Sequence, residues 1–446
     1  MIKDKFFEIG KKILNSSRGD QTEVIILRKG EGLTRFANSI IHQNVYQEDL
    51  RITVRVAVGK KLGVSSINST SEDALKSVVQ RAHEIAMHSQ ELPEFESLPS
   101  PTSAKMIDSF FESTAKTTPK ERALIIKEAV RRATKHNFSA SGAFSTAETE
   151  FCVMNSLGIS LYYPFTRAKF SIVVMSDDSQ GYACATACDV AKIDCIKVAE
   201  ESIDKCARGR KPREIEPKAY DVILEPYAIA EILDWMAYIG MGGLSLLEEK
   251  SFLTGRLGQK IASEKITIYD DGLDPRGIPM PFDFEGVPKS KVMIIEKGVA
   301  KGVVYDTITA KKAGTKTTGH AVPPEWAEVG PMPLNLFMET GDSSTEDMLS
   351  SLDRGIWVTK FHYVNGLLNP REALFTGMTR GGTFFVDHGK IKFPIKNLRF
   401  TESMIKAFAN VDMVGKEAKL VPSDEQAIYL PSLLIRNFNF TGTTEY

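Results

Sequence analysis

Residues 291–306, KVMIIEKGVAKGVVYD, place two apolar runs on either side of Lys297-Gly298. A lysine-glycine pair suits a tight hairpin, because glycine readily adopts the left-handed backbone that such turns need. The same arrangement recurs at His388-Gly389, within TFFVDHGKIKFPIKNLRF (383–400). These stretches predict antiparallel strands joined by short turns in this half of the chain.

Working outward, more strands than helices are predicted. Further strands in this half are expected at 220–226, 265–272, 355–364 and 432–440. In the first half, residues 22–30 and 49–68 alternate apolar and polar residues, which predicts strands with turns at Lys29-Gly30 and at Gly59-Lys60-Lys61. Helical periodicity is found at 71–90, 118–136, about 191–207 and 227–239. Because no regular strand–helix–strand alternation appears, the predicted fold class is α+β.

The chain is long enough for two domains. Its 446 residues exceed what one hydrophobic core usually serves. The polar segment ARGRKPREIEPK, residues 207–218, contains two prolines and is the expected boundary. We therefore expect a mixed α/β domain over residues 1–210 and a domain dominated by antiparallel sheet over residues 211–446.

Composition narrows the class of protein. With 56 basic and 57 acidic residues the formal net charge is −1, so the sequence lacks the basic surplus of a nucleic-acid-binding protein. Five cysteines and the lack of a recognisable secretory signal predict a reducing, cytoplasmic location. The apolar stretch 227–247 is long enough to span a bilayer but contains Glu231 and Asp234. It is therefore interpreted as a buried helix rather than a membrane span.

The sequence HEIAMH, residues 83–88, resembles a zinc motif in its letters. His83 and His88 are five positions apart, which places the two rings about 140° apart on a helix, whereas the familiar zinc helix uses a spacing of four. Leu75, Val78, Val79, Ala82, Ile85 and Ala86 form the expected core face, with His83 at its edge. A solvated helix face is thus the leading interpretation, and a metal site of His83, Glu84 and His88 is kept as the alternative.

Two other groups of residues allow a chemical interpretation beside a structural one. Cys184 and Cys188, followed by Cys195 and Cys206, could hold a soft metal, but free cysteines are also ordinary core residues. Glu231 and Asp234, three positions apart, could be an acid pair or simply the polar side of an amphipathic helix. The residues on their own therefore define no catalytic site.

A family resemblance is found in the second half of the chain. PFDFEGV at 281–287, the hairpin GVAKG at 298–302 and TTGHA at 317–321 follow one another closely. LDRGIWVT (352–359) and MVGKEAKL (413–420) continue in order. Together they resemble the TldD/PmbA family, also known as modulators of DNA gyrase or peptidase U62. The resemblance covers most of 215–436, and over 1–210 it rests mainly on the order of elements.

The resemblance implies a two-domain α+β protein that works in a pair of homologous chains. The TldD-type chain is a zinc-dependent peptidase with His-Glu-x-x-x-His on the helix opening the second domain and a cysteine near its C-terminus. Here that helix, PYAIAEILDWMAYIG (226–240), contains no histidine, and the last cysteine is Cys206. TTGHA also looks like the partner, TldE/PmbA type. Gly319 and His320 are carried over as family-motif positions that could meet substrate or partner.

The expected function is that of a non-catalytic TldE/PmbA-type subunit acting on small or unfolded peptides. The resemblance implies no cofactor in this chain and zinc in a TldD-type partner, while the charge balance and the acidic residues of 227–247 predict no nucleic-acid or membrane partner. Two alternatives remain open: an autonomous metallopeptidase using His83, Glu84 and His88, and a self-associating peptide-binding protein that forms a homodimer when alone.

Overall fold

The computed structural model describes residues 2–423 and 427–444. Its helices are α1 (Ile2–Ser16), α2 (Glu72–His88), α3 (Glu112–Ala115), α4 (Pro119–Thr134), α5 (Cys195–Arg208), α6 (Pro226–Gly240), α7 (Gly243–Leu247), α8 (Thr307–Lys312), α9 (Thr345–Ser350) and α10 (Met404–Ala409). The strands of the first half are β1 (Gln21–Ala37), β2 (Ile40–Val58), β3 (Lys61–Ile67), β4 (Ser139–Asn155), β5 (Ser160–Met175) and β6 (Gln180–Ala187). Those of the second half are β7 (Ala219–Leu224), β8 (Ile268–Asp270), β9 (Val292–Glu296), β10 (Val299–Ala300), β11 (Leu336–Met338), β12 (Arg354–Asn369), β13 (Leu374–Asp387), β14 (Lys390–Pro394), β15 (Leu398–Ser403), β16 (Val411–Pro422) and β17 (Ala427–Thr443). The α+β class is confirmed.

The first sheet is a six-stranded antiparallel sheet in the order β3-β2-β1-β4-β5-β6. Successive side chains of a strand point to opposite faces. Val24 and Ile26 of β1 therefore pack on one face, in the core that also contains Phe6 of α1 and Val78 of α2. Helices α4 and α5 cover the rest of this face. Ile25 of β1 points to the other face of the sheet, where it packs against residues from the second half of the chain.

The second sheet has eleven strands, and five of them close on themselves. Strand β17 pairs with β15, and β15 with β13; β12 follows, then β7, which pairs back to β17. The sheet is mixed rather than purely antiparallel, because β7 runs parallel to β12 and β11 runs parallel to β17. The rings of Phe361, Phe400 and Phe438 pack together at centroid separations between 4.5 and 6.0 Å. Aromatic burial of this kind provides much of the core of this half.

Both predicted hairpins are confirmed. Lys297 and Gly298 join β9 to β10, and His388 and Gly389 join β13 to β14, with positive φ at all four residues. Two successive positive φ values are typical of the two-residue turns that match strand twist. Strand β10 ends at Ala300, however, earlier than the sequence pattern indicates.

The turn predicted at Lys29-Gly30 is wrong. Strand β1 runs through Gly30 to Ala37, with Gly30 opposite Glu48 of β2. The chain reverses instead at Asn38 and Ser39, both at positive φ. A Cβ at Gly30 would lie 2.4 Å from the hydroxyl oxygen of Tyr46, whose side chain is 63% exposed and can move aside.

Helix α6 occupies the centre of the second half, as the apolar sequence predicts. It begins at Pro226, and most of its residues are buried. Within the described residues, no helix combines the length and apolar character that crossing a membrane requires.

The two sheets meet across the helix-free face of the first. Phe151 of β4 stacks on Phe282 at a centroid separation of 5.2 Å, and Ile25 and Leu334 belong to the same cluster. This apolar contact covers only part of the sheet face. The uncovered part forms one wall of the cleft described next.

Candidate functional site

Two cavities that share part of their lining lie on the helix-free face of the first sheet. One, of about 550 Å³, is lined by α6 and is called the helix cavity; the other, of about 410 Å³, lies on the first sheet and is called the sheet cavity. Lys169, Trp326, Leu334 and Ser423 line both. The two cavities are together called the cleft, and each is large enough for a small organic molecule or a short peptide.

Helix α6 presents one face to the helix cavity. The lining residues from α6 are Tyr227, Ala230, Glu231, Asp234, Trp235, Ala237 and Tyr238. Their spacing of three and four positions is that of neighbouring side chains on a helix surface. Glu231 and Asp234, which the sequence left as either an acid pair or a polar helix face, thus both face this cavity.

Glu231 is held by a lysine from the second sheet. Lys360 Nζ of β12 lies 3.1 Å from Glu231 Oε1 and 4.5 Å from the ring centroid of Tyr182. The first contact is an ion pair and the second is a cation–π contact. The cavity therefore combines acidic groups, a paired ammonium and aromatic side chains.

The sheet cavity lies over four neighbouring strands, β2, β1, β4 and β5. Alternation along β4 places Ser145, Ala147 and Thr149 on the cleft face, and the same rule places Lys29 on β1 and Arg167 on β5. The cavity has cationic side chains from Lys29, Arg51, Arg167 and Lys169 and one carboxylate from Glu31. The sequence analysis did not identify these cationic side chains as a group, although the alternation along each strand places them on one face of the sheet.

The helix of the sequence HEIAMH lies away from the cleft. Helix α2 is continuous from Glu72 to His88, with the Ser71 side chain accepting a hydrogen bond from the backbone N–H of Ala74 at its start. Glu84 accepts a hydrogen bond from Gln80 at 2.8 Å, and His88 is exposed. The expected core face is confirmed except at Ile85, which is 46% exposed. Among the residues that the structure describes, His83 belongs to no group of three or more side chains placed to hold a metal ion, and the site of His83, Glu84 and His88 stays an untested alternative.

His320 is buried in a network of the second half. Its Nε2 lies 2.8 Å from Asp270 Oδ1, and its Nδ1 lies 2.9 Å from the carbonyl oxygen of Thr318. Lys289 Nζ is 3.6 Å from the same Asp270 oxygen and donates to Asn335 at 2.9 Å. Burial and the Lys289 charge lower the pKa of His320. Contact of His320 with substrate or partner stays a prediction. The geometry shows the imidazole linking Asp270 to the backbone at Thr318 in the interior.

Asp270 is the anionic centre of that network. Burial alone would raise the pKa of its carboxyl group, but Lys289 and His320 lower it to about 2. Gly319, the other family-motif position, has φ of +73°, and a Cβ there would lie 2.4 Å from the carbonyl oxygen of Pro288. Glycine is therefore required at 319 by the backbone.

The cysteines are separate thiols. Cys184, Cys195 and Cys206 are buried and Cys188 is half-buried. Burial raises the pKa of Cys188 to about 11 and that of Cys195 to about 12. A thiol rather than a metal-binding thiolate is favoured at both positions.

The described side chains around α6 do not form a zinc-binding set. The helix cavity has the carboxylates of Glu231 and Asp234 but neither histidine nor cysteine in its lining. Across residues 2–423 and 427–444, no group of three or more histidine, cysteine, aspartate or glutamate side chains is placed to hold a metal ion. Zinc peptidase sites use three protein ligands, mostly histidine, so the donors present do not fit that group.

Comparison with known proteins gives the family. Residues 217–442 match the model of the PmbA/TldA metallopeptidase C-terminal domain, and residues 22–86 match PmbA/TldA metallopeptidase domain 1. The chain belongs to the PmbA/TldD metallopeptidase family. This confirms the family that the resemblance at 281–321 indicated.

Individual relatives agree with that assignment. The metalloprotease TldD homolog of Buchnera aphidicola subsp. Acyrthosiphon pisum (strain APS) is 25% identical over 91% of this chain and 89% of its own length. The TldD homolog of Haemophilus influenzae is 29% identical over 41% of this chain and 37% of its own.

Two solved structures share the whole fold. TldE from Thermococcus kodakarensis superposes with a TM-score of 0.88 at 22% identity, covering 98% of this chain and 99% of that one. A protein from Thermotoga maritima MSB8, described as a candidate modulator of a DNA gyrase, also gives 0.88, at 18% identity, over 98% of this chain and 100% of that one. At these identities the likeness concerns the fold alone.

Proposed function

We propose that this chain is the non-catalytic, TldE/PmbA-type subunit of a zinc-dependent peptidase formed with a TldD-type homologue, and that its cleft receives peptide. The observation that carries the proposal is the surface that α6 presents to the helix cavity. Around Glu231, the only glutamate of that helix, stand Ala230 and Trp235. In the family motif His-Glu-x-x-x-His these are the two histidine positions.

The side chains at those positions have no metal-binding chemistry. The side chain of Ala230 is a methyl group, which cannot bind a metal ion. The indole N–H of Trp235 donates a hydrogen bond but has no lone pair for a metal ion. Glu231, which would be the general base of the motif, is paired with Lys360. The sequence after Cys206 contains no cysteine, so the second element of the family's zinc site is also missing.

The contribution of this chain to the pair would be to enclose and hold peptide. The cleft combines aromatic side chains with charged groups of both signs, a lining that suits peptide main chain and side chains. All five cysteines are free thiols, which supports a reducing compartment such as the cytoplasm. Zinc, and the hydrolysis that depends on it, would belong to the TldD-type chain.

Co-purification from the source organism tests the pairing. A tagged chain is expected to bring down a homologue that has His-Glu-x-x-x-His after about 200 residues, and the complex is expected to cleave unstructured peptides until a chelator is added. Recovery of the tagged chain alone, as monomer or homodimer, would favour the self-associating peptide-binding protein and contradict the proposal.

A further inference from the structure

We propose that the helix cavity is a subsite for an uncharged peptide segment with a large apolar side chain, preferably an aromatic one. The choice of peptide as the ligand rests on the proposed function. The preference for an apolar and uncharged segment rests on the side chains of this cavity alone, so it requires neither a metal ion nor a second chain.

Two segments of the chain give the cavity an apolar lining. Helix α6 contributes Trp235 and Tyr238, whose ring centroids lie 5.9 Å apart in an edge-to-face arrangement. The segment 326–336, which leads into β11, contributes the apolar side chains of Trp326, Val329, Met332, Pro333, Leu334 and Leu336. The helix cavity is therefore lined by aromatic and aliphatic groups from two separate parts of the sequence.

The fold leaves part of this apolar surface uncovered. Tyr238 is 48% exposed, and Trp235, Trp326, Val329 and Met332 are half-buried. Removing apolar surface from water is favourable in proportion to its area, and aromatic rings gain further from stacked or edge-to-face contacts. An apolar side chain in the cavity would therefore be stabilised by surfaces that are otherwise in contact with water.

The charged groups of the cavity balance one another. Its lining includes two cations, Lys169 and Lys360, and two carboxylates, Glu231 and Asp234. Lys360 Nζ lies 3.1 Å from Glu231 Oε1, and Lys169 and Asp234 each have an interaction within the chain as well. A charged side chain in the cavity would have to displace one of these interactions or remain without a partner, whereas an uncharged side chain would not.

The aromatic rings near these charges already have cationic partners. Lys360 Nζ lies 4.5 Å from the ring centroid of Tyr182, and Lys419 Nζ lies 4.8 Å from that of Tyr227. The protein itself thus uses these two rings for cation–π contacts. An aromatic side chain of a peptide is expected at the half-buried tryptophans of the cavity instead.

The size of the cavity suits more than a single side chain. Its volume of about 550 Å³ lies within the range of pockets that bind small organic ligands. The cavity therefore has room for the peptide backbone on either side of the apolar residue as well as for the side chain itself.

Calorimetry on the purified full-length chain tests the proposal. The probes are four peptides of the sequence Ala-Ser-Xaa-Ser-Ala with blocked ends, in which Xaa is phenylalanine, alanine, lysine or glutamate. We expect the phenylalanine peptide to bind about tenfold more tightly than each of the other three. Its binding should show a negative heat-capacity change and little dependence on salt, because apolar surface rather than charge is buried.

Two substitutions locate the site. Tyr238→Ala and Trp326→Ala each remove one aromatic side chain from the lining, and each should weaken binding of the phenylalanine peptide about tenfold but that of the alanine peptide very little. The matched control is Tyr363→Ala, which removes a 75% exposed tyrosine outside both cavities and should leave both affinities unchanged. Circular dichroism checks that the three variants fold.

Four results would overturn the proposal. They are equal affinity for the phenylalanine and alanine peptides, tighter binding of the lysine or glutamate peptide than of the phenylalanine peptide, equal weakening of the phenylalanine and alanine peptides by both lining substitutions, and an effect of Tyr363→Ala as large as that of Tyr238→Ala. Because the assay needs neither zinc nor a second chain, its failure is distinct from failure of the proposed pairing. A chain that co-purifies with a TldD-type homologue but binds the four peptides equally would refute only this inference.

Discussion

Arg55 of strand β2 donates a hydrogen bond to Glu285 at 3.1 Å, and this buried ion pair joins the first sheet to the second half of the chain. The same guanidinium donates to Glu23 of β1 at 2.8 Å. Glu285 in turn accepts hydrogen bonds from the backbone N–H and the hydroxyl group of Thr307. One arginine therefore holds a buried carboxylate of the first sheet and a buried carboxylate of the second half of the chain.

Replacing Arg55 is expected to be costly. Arg55→Met leaves Glu23 and Glu285 as buried carboxylates without a cation, and should lower the free energy of unfolding by about 3–5 kcal/mol. Urea denaturation measures the change. The matched control is Arg51→Gln on the same strand, an exposed arginine whose loss should cost less than about 1 kcal/mol. Equal effects of the two substitutions would show that the buried ion pair does not hold the halves together.

The two carboxylates on one arginine also predict a pH dependence. Burial, together with the nearby Glu285, raises the pKa of Glu23 to about 7, although Arg55 acts in the opposite direction. Because this folded-state value lies above the unfolded value of 4.5, ionisation of Glu23 reduces stability as the pH rises between them. The free energy of unfolding is expected to fall by roughly 1.4 kcal/mol for each pH unit across this range.

Glu23→Gln tests that dependence. The variant cannot ionise and should gain stability relative to the natural chain as the pH rises from about 4.5 to 7, in urea titrations at several pH values. A difference between the two proteins that stays constant over this range would mean that Glu23 is ionised throughout.

Substitution of His320 distinguishes a role in stabilising the fold from a role in direct contact with peptide. His320→Ala leaves Asp270 without the hydrogen bond to the imidazole and should cost about 2 kcal/mol of stability, while peptide binding by the folded variant stays unchanged. The lowered pKa of His320 means that stability falls as the pH drops below 6.5, and the variant should lose this part of the acid dependence. The control is His388→Ala, an exposed histidine. A variant of full stability with impaired peptide binding would instead favour direct contact.

Close packing of helix α2 on β3 gives a further prediction. A Cβ at Gly63 would lie 2.0 Å from the carbonyl oxygen of Ala82, in the middle of the helix. Gly63→Ala should therefore push α2 away from the sheet and cost about 1–3 kcal/mol. Gly302→Ala is the control, because its closest neighbour would be 3.7 Å away. Thermal unfolding of both variants measures the difference, and equal melting temperatures would contradict the packing argument.

Local patterns in the sequence predicted much of the fold. The turns at Lys297-Gly298 and His388-Gly389 and the helix at 226–240 are governed by neighbouring residues, and the structure confirms them. The turn at Lys29-Gly30 was wrong because the strand continues through both residues, paired with β2 on one side and β4 on the other, and no local pattern shows that pairing.

The candidate site was less accessible from sequence. Glu231 and Asp234 were noticed as neighbours on one helix face, but Lys360, which pairs with Glu231, is more than a hundred residues away. The cationic side chains that line the sheet cavity come from β1, β2 and β5, and only the pairing of these strands in the sheet brings them together. The resemblance at 281–321 gave the family but did not locate the cleft.

The zinc content of the isolated chain, measured together with its peptidase activity, tests the central claim most directly. We predict that the dialysed chain contains far less than one zinc ion per molecule and cleaves no peptide, whereas its complex with a TldD-type chain is active and is inactivated by a chelator. About one tightly held zinc ion per isolated chain, lost in His83→Ala together with peptide cleavage, would contradict the account and establish an autonomous metallopeptidase.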